Sequence, residues 1–184
     1  MIPTLPRALR DRLAVAIVEA LGDAQARERL GVLAAAPGAW LAPEEVHLAD
    51  RVAARARRAS EALTGWPLVG AERDLRAALA VAAVLFDAGL PFEVHEILEP
   101  HWVAAEGDDR QALQGLIQTA VAYQHLANGN VAGARSLLIE AASRLHGRTL
   151  LGTDLAPLAR LAGAAAATLA AGRAPAPPVF PRPR

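Results

Sequence analysis

The sequence predicts an all-α fold, a compact bundle of about eight helices built from antiparallel helical hairpins. Three observations predict it. Apolar residues recur at spacings of three and four, as in Leu9, Leu13, Ile17 and Leu21. Glycine and proline punctuate the periodic segments where short turns would fall, at Pro37-Gly38, Gly89 and Asn128-Gly129-Asn130. The chain is 53% hydrophobic but only 4% aromatic, which suits small-residue packing of helix on helix.

Arg7 to Leu21 reads as the first helix. Gly22-Asp23 interrupts it, and Asp23 is placed to cap a second that ends near Ala36. After the Pro37-Gly38 turn, Pro43 opens a third helix at a favoured first-turn position, with Glu44 and Glu45 at the positive end of its dipole. It is expected to run to about Leu63, and Thr64 to Gly70 is a break. Asp74 to Ala88 forms the fourth helix, apolar on nearly every side and therefore expected at the centre. Gly89 ends it, and Pro91 can occupy the first turn of the fifth, Pro91 to Ala105. Glu106-Gly107-Asp108-Asp109 reads as a loop with acceptors ready to cap the sixth, Arg110 to Ala127. Val131 to Leu145 is the seventh, and Thr153-Asp154 starts an eighth that ends near Gly172.

The organisation expected is a helical extension over residues 1–70, a helical core over 71–172 and a proline-rich tail over 173–184, disordered or extended. Ala80-Val81-Ala82, Gly89 and Leu98 recur as Ala120-Val121-Ala122, Gly129 and Leu138, which supports stacked helix–turn–helix hairpins.

Composition removes several function classes. The 19 basic residues are all arginine and are balanced by 19 acidic ones, so the neutral chain argues against a nucleic-acid binder. Without cysteine there is no disulfide, thiolate zinc site or cysteine nucleophile. The longest apolar run, Ala77 to Phe86, is about half of a membrane span, and the opening Met1-Ile2-Pro3-Thr4-Leu5-Pro6-Arg7 lacks the apolar centre of a secretory leader. A cytoplasmic protein off the membrane is expected, with an unknown small ligand or protein as partner and self-association left open. Arg51, Arg55 and Arg58, with Arg57 beside them, form a basic stripe read as a solvated face. His47, His101 and His146 are read as surface residues, and Trp40 and Trp66 as packing for the first three helices.

Residues 92 to 133 hold the chemistry. On a helix, where successive residues turn by about 100°, His95, Glu96 and Glu99 share one arc with Phe92 and Trp102 in or beside it. Carboxylates set among large apolar groups need partners. Arg110, Gln114, Gln118 and His125 form a second polar stripe on the following helix. The expectation is that the two stripes face each other across a groove, as one partly buried network.

The string Glu93-Val94-His95-Glu96-Ile97-Leu98-Glu99 with Trp102, then Leu113-Gln114-Gly115-Leu116-Ile117-Gln118, then His125, Gly129-Asn130 and Gly133-Ala134 resembles the DUF309 family of small all-helical bacterial and archaeal proteins. The resemblance covers about residues 73 to 150. Pro100 and Leu90-Pro91 depart from the family's pattern. It implies the fold and a shared polar cluster, and transfers no activity.

The leading reading is a non-catalytic binding or structural module with no cofactor, whose polar cluster comprises His95, Glu96, Glu99, Trp102, Arg110, Gln114, Gln118 and His125. The alternative is a metal-dependent or acid–base enzyme, with His95, Glu99 and His125 as ligands of a divalent metal. The string is His-Glu-x-x-Glu rather than the His-Glu-x-x-His of zinc proteases, and no nucleophile or phosphate loop accompanies it. Whether the chain is an enzyme stays open at this stage.

Overall fold

Capping chemistry in the sequence sets most of the helix ends. The computed structural model describes residues 5–70 and 74–183. Among them lie eight α-helices: α1 (Arg7–Gly22), α2 (Ala24–Ala35), α3 (Ala49–Ala62), α4 (Leu75–Asp87), α5 (Pro91–Ala104), α6 (Gly107–Ala127), α7 (Val131–Leu145) and α8 (Ala156–Ala170). The Asp23 carboxylate accepts the Gln25 N–H at 2.8 Å and so starts α2, and Asp74 accepts the Ala77 N–H at 2.7 Å to start α4. Asn130 does the same for α7 through the Gly133 N–H. Pro91 stands in the first turn of α5, where its missing donor costs nothing.

The departures have local causes. The third helix does not begin at Pro43: Pro43–Leu48 is a 3₁₀ segment and α-geometry starts only at Ala49. Glu45 accepts the Ala42 N–H at 3.0 Å and an Arg12 guanidinium N–H at 2.7 Å, which ties this turn to α1. Leu48, at φ −101° and ψ 2°, then separates it from α3. Residues 107–109 are not a loop either. They form the first turn of α6, where Asp108 and Asp109 meet the helix dipole instead of capping it. Thr153-Asp154 forms a strand of a small hairpin, β1 (Thr149–Leu150) paired antiparallel with β2 (Thr153–Asp154), and the Asp154 carboxylate still accepts the Ala156 N–H at 2.9 Å where α8 begins. Leu151 and Gly152 between the strands both have positive φ, the geometry of a tight two-residue turn.

Consecutive helices pack as antiparallel neighbours, and α1 also reaches across to α5. The buried apolar residues form one cluster that runs from Leu9, Leu13 and Ile17 through Val81, Leu85 and Val94 to Leu138 and Leu158. Helix α4 buries Ala78, Leu79, Val81, Ala82, Ala83, Leu85 and Phe86, and so takes the central place its composition predicts. Alpha-helical pairing is tightest where glycine removes a side chain. A Cβ on Gly115 would stand 2.7 Å from Leu145 Cγ, so this glycine sets how closely α6 and α7 approach. The boundary expected at residue 71 lies outside the described residues. Residues 173–183 run without helix or strand but are not loose, since Phe180 is fully buried. Among the described residues, no helix is long and apolar enough to cross a membrane.

Candidate functional site

Helix α5 carries acidic residues on both of its faces, and the two sets do different things. Its inner face buries Pro91, Glu93, Val94, Ile97 and Leu98. Glu93 has no solvent exposure, and Arg55 of α3 is 1% exposed. One guanidinium nitrogen, Arg55 Nη2, donates to both Glu93 oxygens at 3.0 Å. The other two nitrogens, Nε and Nη1, are buried without partners among the described residues. A charge in such surroundings is tolerated because its counter-charge is there with it. This ion pair corrects the sequence reading, which placed Arg55 with Arg51 and Arg58 on a solvated stripe and gave Glu93 no role. The signal was available: Arg55 sits among Val52, Ala56 and Ala59, which are buried on the same helix face.

The outer face of α5 carries the predicted cluster. The side chains of His95, Glu96 and Glu99 keep 29%, 35% and 47% of their exposure. His95 Nδ1 lies 2.9 Å from Glu96 Oε1, and His95 Nε2 lies 4.0 Å from Glu99 Oε2. One ligand atom from each of the three falls within 4.8 Å of the others. Phe92 flanks the imidazole, ring centres 6.1 Å apart, and the Arg10 guanidinium of α1 covers Phe92 at 4.0 Å. Pro100 does not end the helix, which continues to Ala104.

The facing stripe does not form. Among the described residues, no hydrogen bond or ion pair joins His95, Glu96 or Glu99 to Gln114, Gln118 or His125. Gln118 turns to α7, donating to Glu140 at 2.7 Å, and Gln114 is half-buried with no bond to the cluster. His125 Nδ1 pairs with the Asn130 amide at 2.8 Å in the α6–α7 turn. A Cβ on Gly133 would lie 2.6 Å from that same ring nitrogen, so the glycine makes room for the imidazole. His125 therefore has a turn-building role and is not one of the clustered ligand residues. Spacing along α6 brought these residues to similar angles, but Gln118 bonds to α7 and His125 to the α6–α7 turn, while among the described residues Arg110 alone of the stripe reaches the end of α5.

Trp102 and Arg110 form a third unit. Arg110 Nη1 donates to the carbonyls of Trp102, Val103 and Ala105, and its guanidinium lies 4.4 Å from the Trp102 ring centre. The arginine thus closes the carbonyl end of α5 and stacks on the indole. Two other groups are shifted by their surroundings. Burial pushes the Tyr123 phenol up to about 12, and the Ala42 N–H with the Arg12 guanidinium holds Glu45 below the usual carboxylate range.

Residues 79–137 match the family model described as a domain of unknown function, DUF309. That segment includes α5, α6 and the His95 cluster, and Arg55 lies outside it. No curated protein and no solved structure matches the chain.

Proposed function

We propose that this protein is a non-catalytic binding module whose working face is the outer side of α5, where His95 and Glu99, with Glu96 orienting the imidazole, take a divalent cation. The supporting observation is the arrangement around one imidazole. With its Nδ1–H donated to Glu96, His95 presents the Nε2 lone pair toward Glu99. An ion held at about 2.0–2.2 Å with tetrahedral angles needs its ligand atoms roughly 3.4 Å apart, so the half-exposed Glu99 side chain would close in on Nε2 from the present 4.0 Å. Glu96 would then act as the carboxylate that orients a metal-bound histidine.

Such a site supplies few protein ligands and leaves coordination positions open. A carboxylate or imidazole from a partner could fill them, and a partner ligand of that kind is what the binding reading requires. No serine, threonine or glycine-rich loop stands at the cluster to act as nucleophile or phosphate cradle. Calorimetry of the tag-free protein with Zn²⁺, Mn²⁺ and Mg²⁺ tests the proposal. Wild type should bind Zn²⁺ or Mn²⁺ with one site, and H95A and E99Q should each lose at least about tenfold in affinity, the equivalent of one lost ligand. Equal binding by wild type, H95A and E99Q would place the ion elsewhere and end the proposal, as would no binding at all.

A further inference from the structure

Helices α4 and α6 both pack against α5, and Phe86 of α4 meets Tyr123 of α6 edge to face, ring centres 5.7 Å apart, with a channel along this seam. Leu79 and Phe86 from α4 and Leu116 and Tyr123 from α6 line it. The members of each pair stand two helical turns apart, so the four side chains form two parallel ribs. Residues 176–183, which form neither helix nor strand, run along these side chains. Several contacts hold them, among them the Thr153 hydroxyl, which donates to the Arg182 carbonyl at 3.5 Å. Tyr123 donates its hydroxyl to the Ala176 carbonyl at 2.8 Å. Phe180 is fully buried, its ring centre 4.8 Å from that of Phe86. The Arg182 guanidinium pairs with Asp87 at the rim.

Prolines at 177, 178, 181 and 183 bias this stretch toward an extended conformation before it docks, which lowers the entropy lost on binding. Pro181 and Pro183 cover Leu79, Leu116, Leu150 and Leu155. Beside the segment an open pocket of about 450 Å³ is lined by Phe86, Tyr123, Pro177, Pro178 and Val179, and Val179 stays exposed at its edge.

We propose that the α4–α6 channel is a peptide-recognition groove for proline-rich segments carrying phenylalanine two residues before arginine, and that residues 176–182 are its intramolecular competitor. The chain's own segment displays the chemistry the groove accepts: a carbonyl for the tyrosine hydroxyl, an aromatic anchor for the Phe86 wall and a cation for Asp87. Tethering gives that segment an effective concentration in the millimolar range, so a segment from another protein succeeds by filling the pocket better or by meeting the groove when the tether is released. This reading does not depend on the cation site.

A fluorescent peptide with the sequence of residues 174–184, titrated into the full chain and followed by anisotropy, tests it. Wild type should bind weakly, whereas R182E and F180A, which loosen the tethered copy, should bind at least about tenfold tighter. In the F180A background, D87R should abolish binding of the arginine peptide, and replacing that arginine by glutamate in the peptide should restore it. Helicity by circular dichroism checks each variant. If F180A does not fold, R182E carries the test, because that side chain is 51% exposed. Equal binding to wild type and to the loosened variants, no binding to either, or indifference to D87R would each overturn the proposal.

Discussion

Removing the acid from the Arg55–Glu93 pair is the sharpest perturbation the structure offers. Glu93→Leu strands a guanidinium in the interior, with 1% exposure and two nitrogens without a partner among the described residues. Breaking a buried pair from one side costs about 3–5 kcal/mol. For a chain of this size, where a kilocalorie moves the midpoint by about 2–4 °C, that is a drop of roughly 6–20 °C in Tm. Arg55→Met, which leaves Glu93 uncompensated, should fall in the same range. The double change Arg55→Met with Glu93→Leu should behave otherwise. A single nitrogen serves both carboxylate oxygens, so the pair lacks the two-pronged geometry that makes arginine–carboxylate contacts strong. Its Coulombic gain has to offset the desolvation of both ions and of two unsatisfied donors. The double variant is therefore expected within about 1 kcal/mol of wild type, or above it. Urea unfolding of the four proteins, followed by circular dichroism, measures the coupling. Single variants that each cost under about 1 kcal/mol, or a double variant as unstable as the two singles added together, would refute the reasoning.

Two further predictions concern other parts of the core. The chain has one tyrosine, so alkaline difference absorbance reports Tyr123 alone, and its ionisation should be centred near 12. Because the folded phenol titrates above the ordinary value of 10.0, its contribution to stability is complete below pH 10 and is lost as pH rises toward 12; a midpoint near 10 in the folded protein would contradict its burial. Gly115→Ala should destabilise by about 1–3 kcal/mol, since the added methyl must displace Leu145 across the α6–α7 contact, and a thermal melt indistinguishable from wild type would show that the two helices are not held that closely.

The helices were legible because their ends carry their own chemistry. Asp23, Asp74 and Asn130 cap, Gly89 and Gly129 turn with positive φ, and Pro91 starts a helix, all by interactions within a few residues. The 3₁₀ segment Pro43–Leu48 was not legible, because Glu45 is held there by Arg12 from a distant helix. The hairpin at 149–154 is two residues per strand, too short to leave a periodic signature.

At the site, periodicity placed His95, Glu96 and Glu99 together correctly, since all three lie on one helix. It misjudged Gln118 and His125, because the angle of a residue on its own helix does not say which neighbour stands opposite. Arginine type also misled. A long side chain beside Val52, Ala56 and Ala59 has room to lie inward, and at Arg55 it does. The proline-rich stretch posed a similar difficulty, since its composition suits a free chain equally well; only the pocket beside Phe86 gives Phe180 a place to bury.

The ion pair also bears on how this gene should be divided. Its acid lies within residues 79–137, and its base lies some way upstream on α3. A fragment excised at the limits of that match would inherit a carboxylate shaped for an interior, with its counter-ion left behind on the discarded piece. In this chain α3 carries the charge that neutralises that acid.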